Sequence, residues 1–368
     1  MRRRPLRRAG LPVITAVAAL AATAVLFSGP GRAQDASTVL ATDMCERAIA
    51  ITASPAPDAP ELFGSFAFPC AASADAALPV VLMLAGSGPT DRDGNQPGFR
   101  TDMQRALAED LAGRGIASLR VDKRGVGASA AAAPDEAAMT LDMLAGDAAR
   151  WTRAARRLAA GAAVVTMGHS EGGLLALLAA RRVAPDGVIL AATAGEPAGR
   201  TLARQIDQAP MDNATRSRAR RILAELIAGR QVDGVPLDLA PLFRASVQPY
   251  LISWLGVDPA AIVERLRGPV LILQGDRDLQ VTVADARRLA GARPQGTRIQ
   301  ILGGLNHVFK PAPVDRAANI AAYTAPGVRP DPRVAGLIAD FVSAVVPRAA
   351  GAAPPAAGPR HPEDRPGG

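Results

Sequence analysis

Gly168-His169-Ser170-Glu171-Gly172 sets a serine one residue away from a glycine on either side. A serine hydroxyl is a weak nucleophile. It does covalent chemistry only when a base takes its proton and a third group orients that base. The pattern alone decides little, since 35 glycines in 368 residues give about 0.1 chance matches among the serines. Its surroundings decide more. Ala163 to Met167 reads as a buried strand and Gly173 to Arg182 as a helix, which puts the motif on a strand-to-helix turn. Small residues on both flanks let such a turn close sharply and hold Ser170 Oγ clear of the backbone at the helix N-terminus.

The chain has three histidines. His169 adjoins the serine and should point elsewhere from the turn, and His361 lies near the C-terminus. His307, in the loop Gly303-Gly304-Leu305-Asn306-His307 after the apolar run Ile299 to Leu302, is the candidate base. The acid should come between serine and histidine in the chain and follow an earlier strand. Gln274-Gly275-Asp276-Arg277-Asp278 follows the run Val270 to Leu273 and offers two carboxylates; Asp278 is preferred, with Asp276 as a turn-former. An oxyanion needs backbone donors. The N–H of Glu171, next after the nucleophile, is one, and the N–H of Ser87 in Ala85-Gly86-Ser87-Gly88-Pro89 is the choice for the other. Asp91, Asp93 and Asn95 have the spacing of the first ligands of a calcium loop, but the sixth position is Gln96 rather than glycine and Pro97 follows, so no metal is expected. No cofactor is called for either.

The elements around these residues must hold them in place. Short apolar runs at Val80 to Leu84, Ile116 to Val121, Ala163 to Met167, Val188 to Ala192, Val270 to Leu273 and Ile299 to Leu302 alternate with longer amphipathic stretches. That alternation predicts an α/β protein with a mostly parallel sheet covered by helices. Thr101 and Gln104 are read as a capping box ahead of Met103, Leu107 and Leu111, with Gly113 and Gly115 closing that helix. Ile49 to Thr52 and Leu62 to Phe68 suit an antiparallel hairpin at a sheet edge. The reading divides the chain into a signal peptide (1–33), a hairpin and loop segment (34–78), core (79–193), a helical cap inserted between strands (194–268), core (269–348) and a disordered Ala/Pro/Gly-rich tail (349–368).

Four stretches carry a resemblance: residues 86–95, Asp122-Lys123-Arg124-Gly125-Val126-Gly127-Ala128-Ser129, His169-Ser170-Glu171-Gly172-Gly173 and Leu305-Asn306-His307. Together, spread over about residues 62 to 346, they resemble bacterial α/β-hydrolases of the exported esterase and serine-aminopeptidase-like group. The resemblance implies the α/β-hydrolase fold, an eight-stranded core, a cap and a Ser-His-Asp mechanism. The chain departs from many of these relatives at Ala85, where a histidine often precedes the glycine.

Apolar residues make up 49% of the chain, which excludes a disordered protein. Arginines at 2, 3, 4, 7 and 8, the apolar run Leu11 to Phe27 and the small residues of Gly31-Arg32-Ala33 have the order of a cleavable signal peptide. The run is just long enough to stay as an anchor, but the break at Pro30 and the small residues favour cleavage. Residues 1–33 carry six arginines and no acids, so the remainder is almost neutral, and its charge gives no case for nucleic acid. Arg216, Arg218, Arg220 and Arg221 read as a solvated helix face. Cys45 and Cys70 are expected to pair in an oxidising compartment, periplasmic or extracellular. The expected partner is a small acyl substrate, with no stable membrane association once the signal is removed; oligomeric state is left open. The expected activity is acyl-ester hydrolysis, with an aminopeptidase and a non-catalytic binding protein on the same fold as alternatives.

Overall fold

The computed structural model describes residues 43–345, apart from residues 57 and 134. The expected signal peptide (1–33) and tail (349–368) lie outside the described residues. Eight strands form one sheet in the order β1-β2-β4-β3-β5-β6-β7-β8. They are β1 (Met44–Thr52), β2 (Glu61–Pro69), β3 (Val80–Leu84), β4 (Ala117–Val121), β5 (Val164–His169), β6 (Gly187–Ala191), β7 (Val270–Gly275) and β8 (Thr297–Leu302). β1 and β2 pair antiparallel, as do β2 and β4, and every other neighbouring pair is parallel. This is the mostly parallel eight-stranded sheet of the α/β-hydrolase fold.

Side chains alternate between the two faces of a strand, and here both faces are covered. In β3, Val80, Leu82 and Leu84 join one apolar cluster while Val81 and Met83 join the other. Helices α1 (Met103–Ala112) and, at the C-terminal end, α11 (Pro332–Val345) close one face with Leu107, Leu111, Val334 and Phe341. Helices α2 (Leu141–Leu158) and α3 (Glu171–Ala180) close the other with Leu144, Trp151, Leu174 and Leu177. Continuous apolar strands follow from two buried faces. β1 shows the contrast: it lies at the sheet edge, and its burial alternates between half-buried and exposed residues.

Between β6 and β7 run helices α4 (Ala198–Gln208), α5 (Asn213–Ile227), α6 (Ala240–Phe243), α7 (Gln248–Leu255) and α8 (Pro259–Glu264). Their apolar side chains, among them Ile206, Leu223, Phe243 and Trp254, belong to the same cluster as the sheet face below. Polar ties fasten them to the core as well. Arg244 and Ser246 both bond the Glu136 carboxylate, and Ser253 Oγ accepts from Leu141 N at 2.9 Å. Helices α9 (Val283–Ala292) and α10 (Arg316–Tyr323) follow β7 and β8.

The capping box expected of Thr101 and Gln104 does not form. Asp102, at φ 51°, is the N-cap of α1 and makes no side-chain cap bond. Thr101 Oγ1 donates to Gly94 O at 2.7 Å, and Gln104 N donates to Asp93 O at 3.1 Å. The loop that folds back over the helix end supplies the acceptors, so no reciprocal side-chain pair is needed. A true capping box closes α9 instead, between Thr282 and Asp285. The four-arginine stretch also differs in part from a solvated face. Arg216 is half-buried and donates to the carbonyls of Ile206, Ala209 and Met211, whereas Arg218, Arg220 and Arg221 are exposed, Arg220 pairing with Asp207 on the surface.

Cys45 and Cys70 form a disulfide that ties the start of β1 to the residue after β2 across a separation of 25 residues. A loop of that size corresponds to about 3 kcal/mol of chain-entropy stabilisation.

Candidate active site

β5 ends at His169 and α3 begins at Glu171, so Ser170 alone makes the turn, at φ 53° and ψ −119°. A non-glycine residue there costs on the order of 1–3 kcal/mol and persists only where the surroundings over-determine it. They do. Ser170 N donates to Ala191 O at 2.9 Å, and Gly173 N donates to Ser170 O at 3.0 Å. A Cβ on Gly168 would lie 2.0 Å from Gly172 O, one on Gly172 2.3 Å from Leu84 O, and one on Gly173 2.0 Å from Thr193 Oγ1. The three glycines let the turn seat itself against β3 and the end of β6 with Ser170 projecting.

Asp278 and His307 come from the loops after β7 and β8 and meet with His307 Nδ1 2.8 Å from Asp278 Oδ2. The Asp278 side chain is only 1% exposed, and its remaining lone pairs are filled. Oδ1 accepts from Gln280 N at 2.7 Å and Val281 N at 3.0 Å, while Gln274 Nε2 donates to Oδ2 at 3.0 Å. A carboxylate so satisfied is fixed in orientation and holds the proton of a neutral histidine on Nδ1, leaving Nε2 as the basic nitrogen. The other candidate acid lies apart from this pair: Asp276 Oδ1 accepts from Gly304 N at 2.7 Å and so braces the glycine turn three residues ahead of His307. Among the described residues, no hydrogen bond joins His307 to Ser170. Such contacts are often loose in unliganded enzymes and tighten on substrate.

His169 links the two halves of the site. Its Nε2 lies 2.8 Å from His307 O and its ring is 4.6 Å from the His307 ring, so it points at the loop that carries His307, away from the pocket. Burial and the neighbouring His307 push its pKa from the ordinary 6.5 down to about 3, so it is neutral and donates from Nε2.

The Ala85–Pro89 loop after β3 lies against the elbow, with Ser87 buried. Ser87 O accepts from Thr90 Oγ1 at 2.7 Å and from Gln96 Nε2 at 3.2 Å. Glu171, at the first position of α3, presents a backbone N–H with no partner inside its own helix. Ser87, Ser170 and Glu171 together line one pocket, with Leu174, Trp254 and Val281 among its apolar walls. Glu196 also lines it and is bonded to Arg204, which in turn lies 3.3 Å from Asp285.

The residues with calcium-like spacing are occupied by the fold. Asp91 Oδ1 accepts from the N–H groups of Asp93 and Asn95, Asp93 pairs with the buried Arg120 of β4, and Asn95 Oδ1 accepts from Thr101 N and Asp102 N. Burial raises the Asp91 carboxyl to about 6.

The sheet order and the family-model match, which covers residues 101–248 and is described as serine aminopeptidase, S33, agree on one assignment. The chain has the α/β-hydrolase fold. It resembles the esterase and serine-aminopeptidase-like group. A curated relative, Esterase EstD of Thermotoga maritima, is 26% identical over 247 residues, covering 63% of this chain and 55% of that protein. The chain thus spans about half the length of the curated relative it matches. Similar solved structures include a thermophilic esterase from Thermogutta terrifontis (19% identity, TM-score 0.48, covering 81% of this chain and 99% of that one). Another is Est1E from Butyrivibrio proteoclasticus (16% identity, TM-score 0.47, covering 81% and 98%). The family match contains Ser170 but neither Asp278 nor His307, whose pairing is a feature of this chain's own geometry.

The buried His169 gives a pH signature. The unfolded chain binds a proton on this histidine below about pH 6.5, whereas the folded chain refuses it down to about pH 3. Stability is therefore lost as pH falls through that window, by about 1.4 kcal/mol per pH unit. Asp91 works in the opposite sense between about pH 6 and 3.8, since its folded carboxyl takes up a proton first. Comparing His169→Gln with the wild type cancels the Asp91 contribution. Urea unfolding from pH 6.5 to pH 4 should show the wild type losing stability about 1 kcal/mol per unit faster than the variant; parallel curves would contradict the buried neutral state.

Proposed function

We propose that the protein is a serine esterase acting on small acyl esters, with Ser170 as nucleophile, His307 as base and Asp278 as the orienting acid. The observation that carries the reading is the buried Asp278–His307 pair, whose His307 carbonyl meets His169, the residue next to a serine held in a strained strand-to-helix turn. In this mechanism His307 Nε2 removes the Ser170 proton as Oγ attacks the acyl carbonyl. Asp278 holds Nδ1–H and stabilises the imidazolium that forms. The N–H groups of Ser87 and Glu171 receive the oxyanion. His307 then protonates the leaving alcohol, and water, activated by the same histidine, releases the acyl group from Ser170.

The pocket favours ester over peptide. An aminopeptidase must hold a cationic α-amine, and Glu196 is the carboxylate placed to do so, but Arg204 already engages it. Leu174, Trp254 and Val281 offer an apolar wall suited to an acyl chain and costly for a cation stripped of water. We further propose that residues 194–268 act as the cap over this pocket, since Trp254 and Pro259 contribute to its lining. The disulfide fits work outside the reducing cytosol. Among the described residues no helix is long and apolar enough to cross a membrane.

Three measurements test these assignments. Asp278→Asn should lower kcat on the order of 10³–10⁴-fold by upsetting the His307 tautomer, while Asp276→Asn should cost only a few-fold; the reverse order would make Asp276 the acid. In a screen of short and medium acyl p-nitrophenyl esters against aminoacyl p-nitroanilides, the esters should give the higher kcat/KM. Ser170→Ala should lose more than about 10⁴-fold with the fold intact. Efficient anilide cleavage that collapses in Glu196→Gln would establish the peptidase instead, and binding of esters without turnover would leave a binding protein.

A further inference from the structure

Lys123, two residues past the end of β4, is 10% exposed at its side chain, and the mechanism above makes no use of it. A lysine is rarely withdrawn from water this far without a partner. Its Nζ donates to Gly86 O and lies 3.5 Å from Glu171 Oε2. The other oxygen of the same carboxylate, Glu171 Oε1, accepts from Tyr250 Oη at 2.5 Å, and Tyr250 stands on α7. Burial lowers the Lys123 ammonium while the neighbouring Glu171 carboxylate raises it, and burial and Glu171 together raise the Tyr250 phenol.

The bond to Gly86 O has a consequence at Ser87. Gly86 C=O and Ser87 N–H belong to one peptide group, planar and trans, in which they point in opposite directions. Holding the oxygen on one side therefore aims the hydrogen on the other. Without that hold, the glycines at 86 and 88 leave the peptide unusually free to rotate, Gly88 already standing at φ 75°. The next peptide is fixed separately through Ser87 O, by Thr90 and Gln96. Glu171 joins the two halves: its backbone N–H is the second donor of the proposed hole, while its side chain grips the lysine that aims the first.

We propose that Lys123 is a positioning residue for the oxyanion hole, setting Ser87 N–H through Gly86 O, and that Glu171 and Tyr250 tie this setting to helix α7 above the pocket. The inference rests on the esterase reading and adds to it a control on the hole from outside the triad. Lys123→Met keeps the length of the side chain and removes the donor. It should lower kcat for an acyl ester about 10²-fold with KM within about threefold, the pattern of an interaction made mainly in the transition state. Affinity for an alkylboronic acid, whose tetrahedral adduct puts an oxygen in the hole, should fall in parallel. Lys123→Met/Glu171→Gln removes both buried charges together and serves should the single variant fold poorly; the same split is expected of it. Tyr250→Phe, which leaves Lys123 on Gly86 O, should lose less than either. Variants that keep kcat and boronate affinity within twofold of wild type, or that lose only thermal stability, overturn the role of Lys123 while leaving the esterase reading in place. A wild-type protein with neither ester turnover nor boronate affinity overturns both.

Discussion

The turn from β5 into α3 closes only because three of its positions carry no side chain, and the site is arranged around that constraint. Gly168, Gly172 and Gly173 each run so close to neighbouring atoms that a Cβ would collide. Ser170 keeps its side chain and takes the strain, at φ 53°. What holds the strain is the packing of the turn against Leu84 O on one side and Thr193 on the other, with Ser170 N fastened to Ala191 O. Strand β5 sits between β3 and β6 in the middle of the sheet, so a distortion of the turn would have to disturb strands packed on both faces.

Charge near this turn is kept in compensated, buried sets rather than left open to water. Asp278 is filled by His307, Gln274 and two backbone N–H groups. Glu171 is shared between Lys123 and Tyr250, Asp122 is held by Arg92 and by Ala128 N, and Arg124 pairs with Asp147. In a low-dielectric interior an unpaired member of any such set would be costly, and a fully paired set is rigid. In the proposed mechanism, rigidity of this kind would keep the donors aimed at where charge develops, with little reorganisation during the reaction.

How legible this was in the sequence differs from element to element, for physical reasons. The central strands were readable because burial on both faces leaves apolar runs such as Val80 to Leu84. The serine was readable because its glycines answer a steric need that few other turns share. Asp278 could be preferred over Asp276 from position, though only the fold separates the residue that bonds His307 from the one that bonds Gly304 N. The α1 cap was misread because a loop folding back from residues 91–94 supplied acceptors that the local pattern could not anticipate. Lys123 and Tyr250 lie 127 positions apart and share a partner only through tertiary contact. His169 was placed away from the pocket, but its hold on the His307 carbonyl depends on a loop 138 residues later. Glu196 carries no local signal in the sequence; the fold puts it in the pocket with Arg204 against it.

In the proposed reaction Ser170, His307 and the N–H groups of Ser87 and Glu171 converge on one reacting carbonyl. A crystal structure of the protein treated with a small alkyl phosphonate ester tests it most directly, because the adduct freezes the tetrahedral geometry in place. Phosphorus should be bonded to Ser170 Oγ, with His307 Nε2 turned toward that linkage. The phosphoryl oxygen should lie about 2.7–3.1 Å from both Ser87 N and Glu171 N. An adduct on another residue, or a phosphoryl oxygen that meets neither N–H, would contradict it.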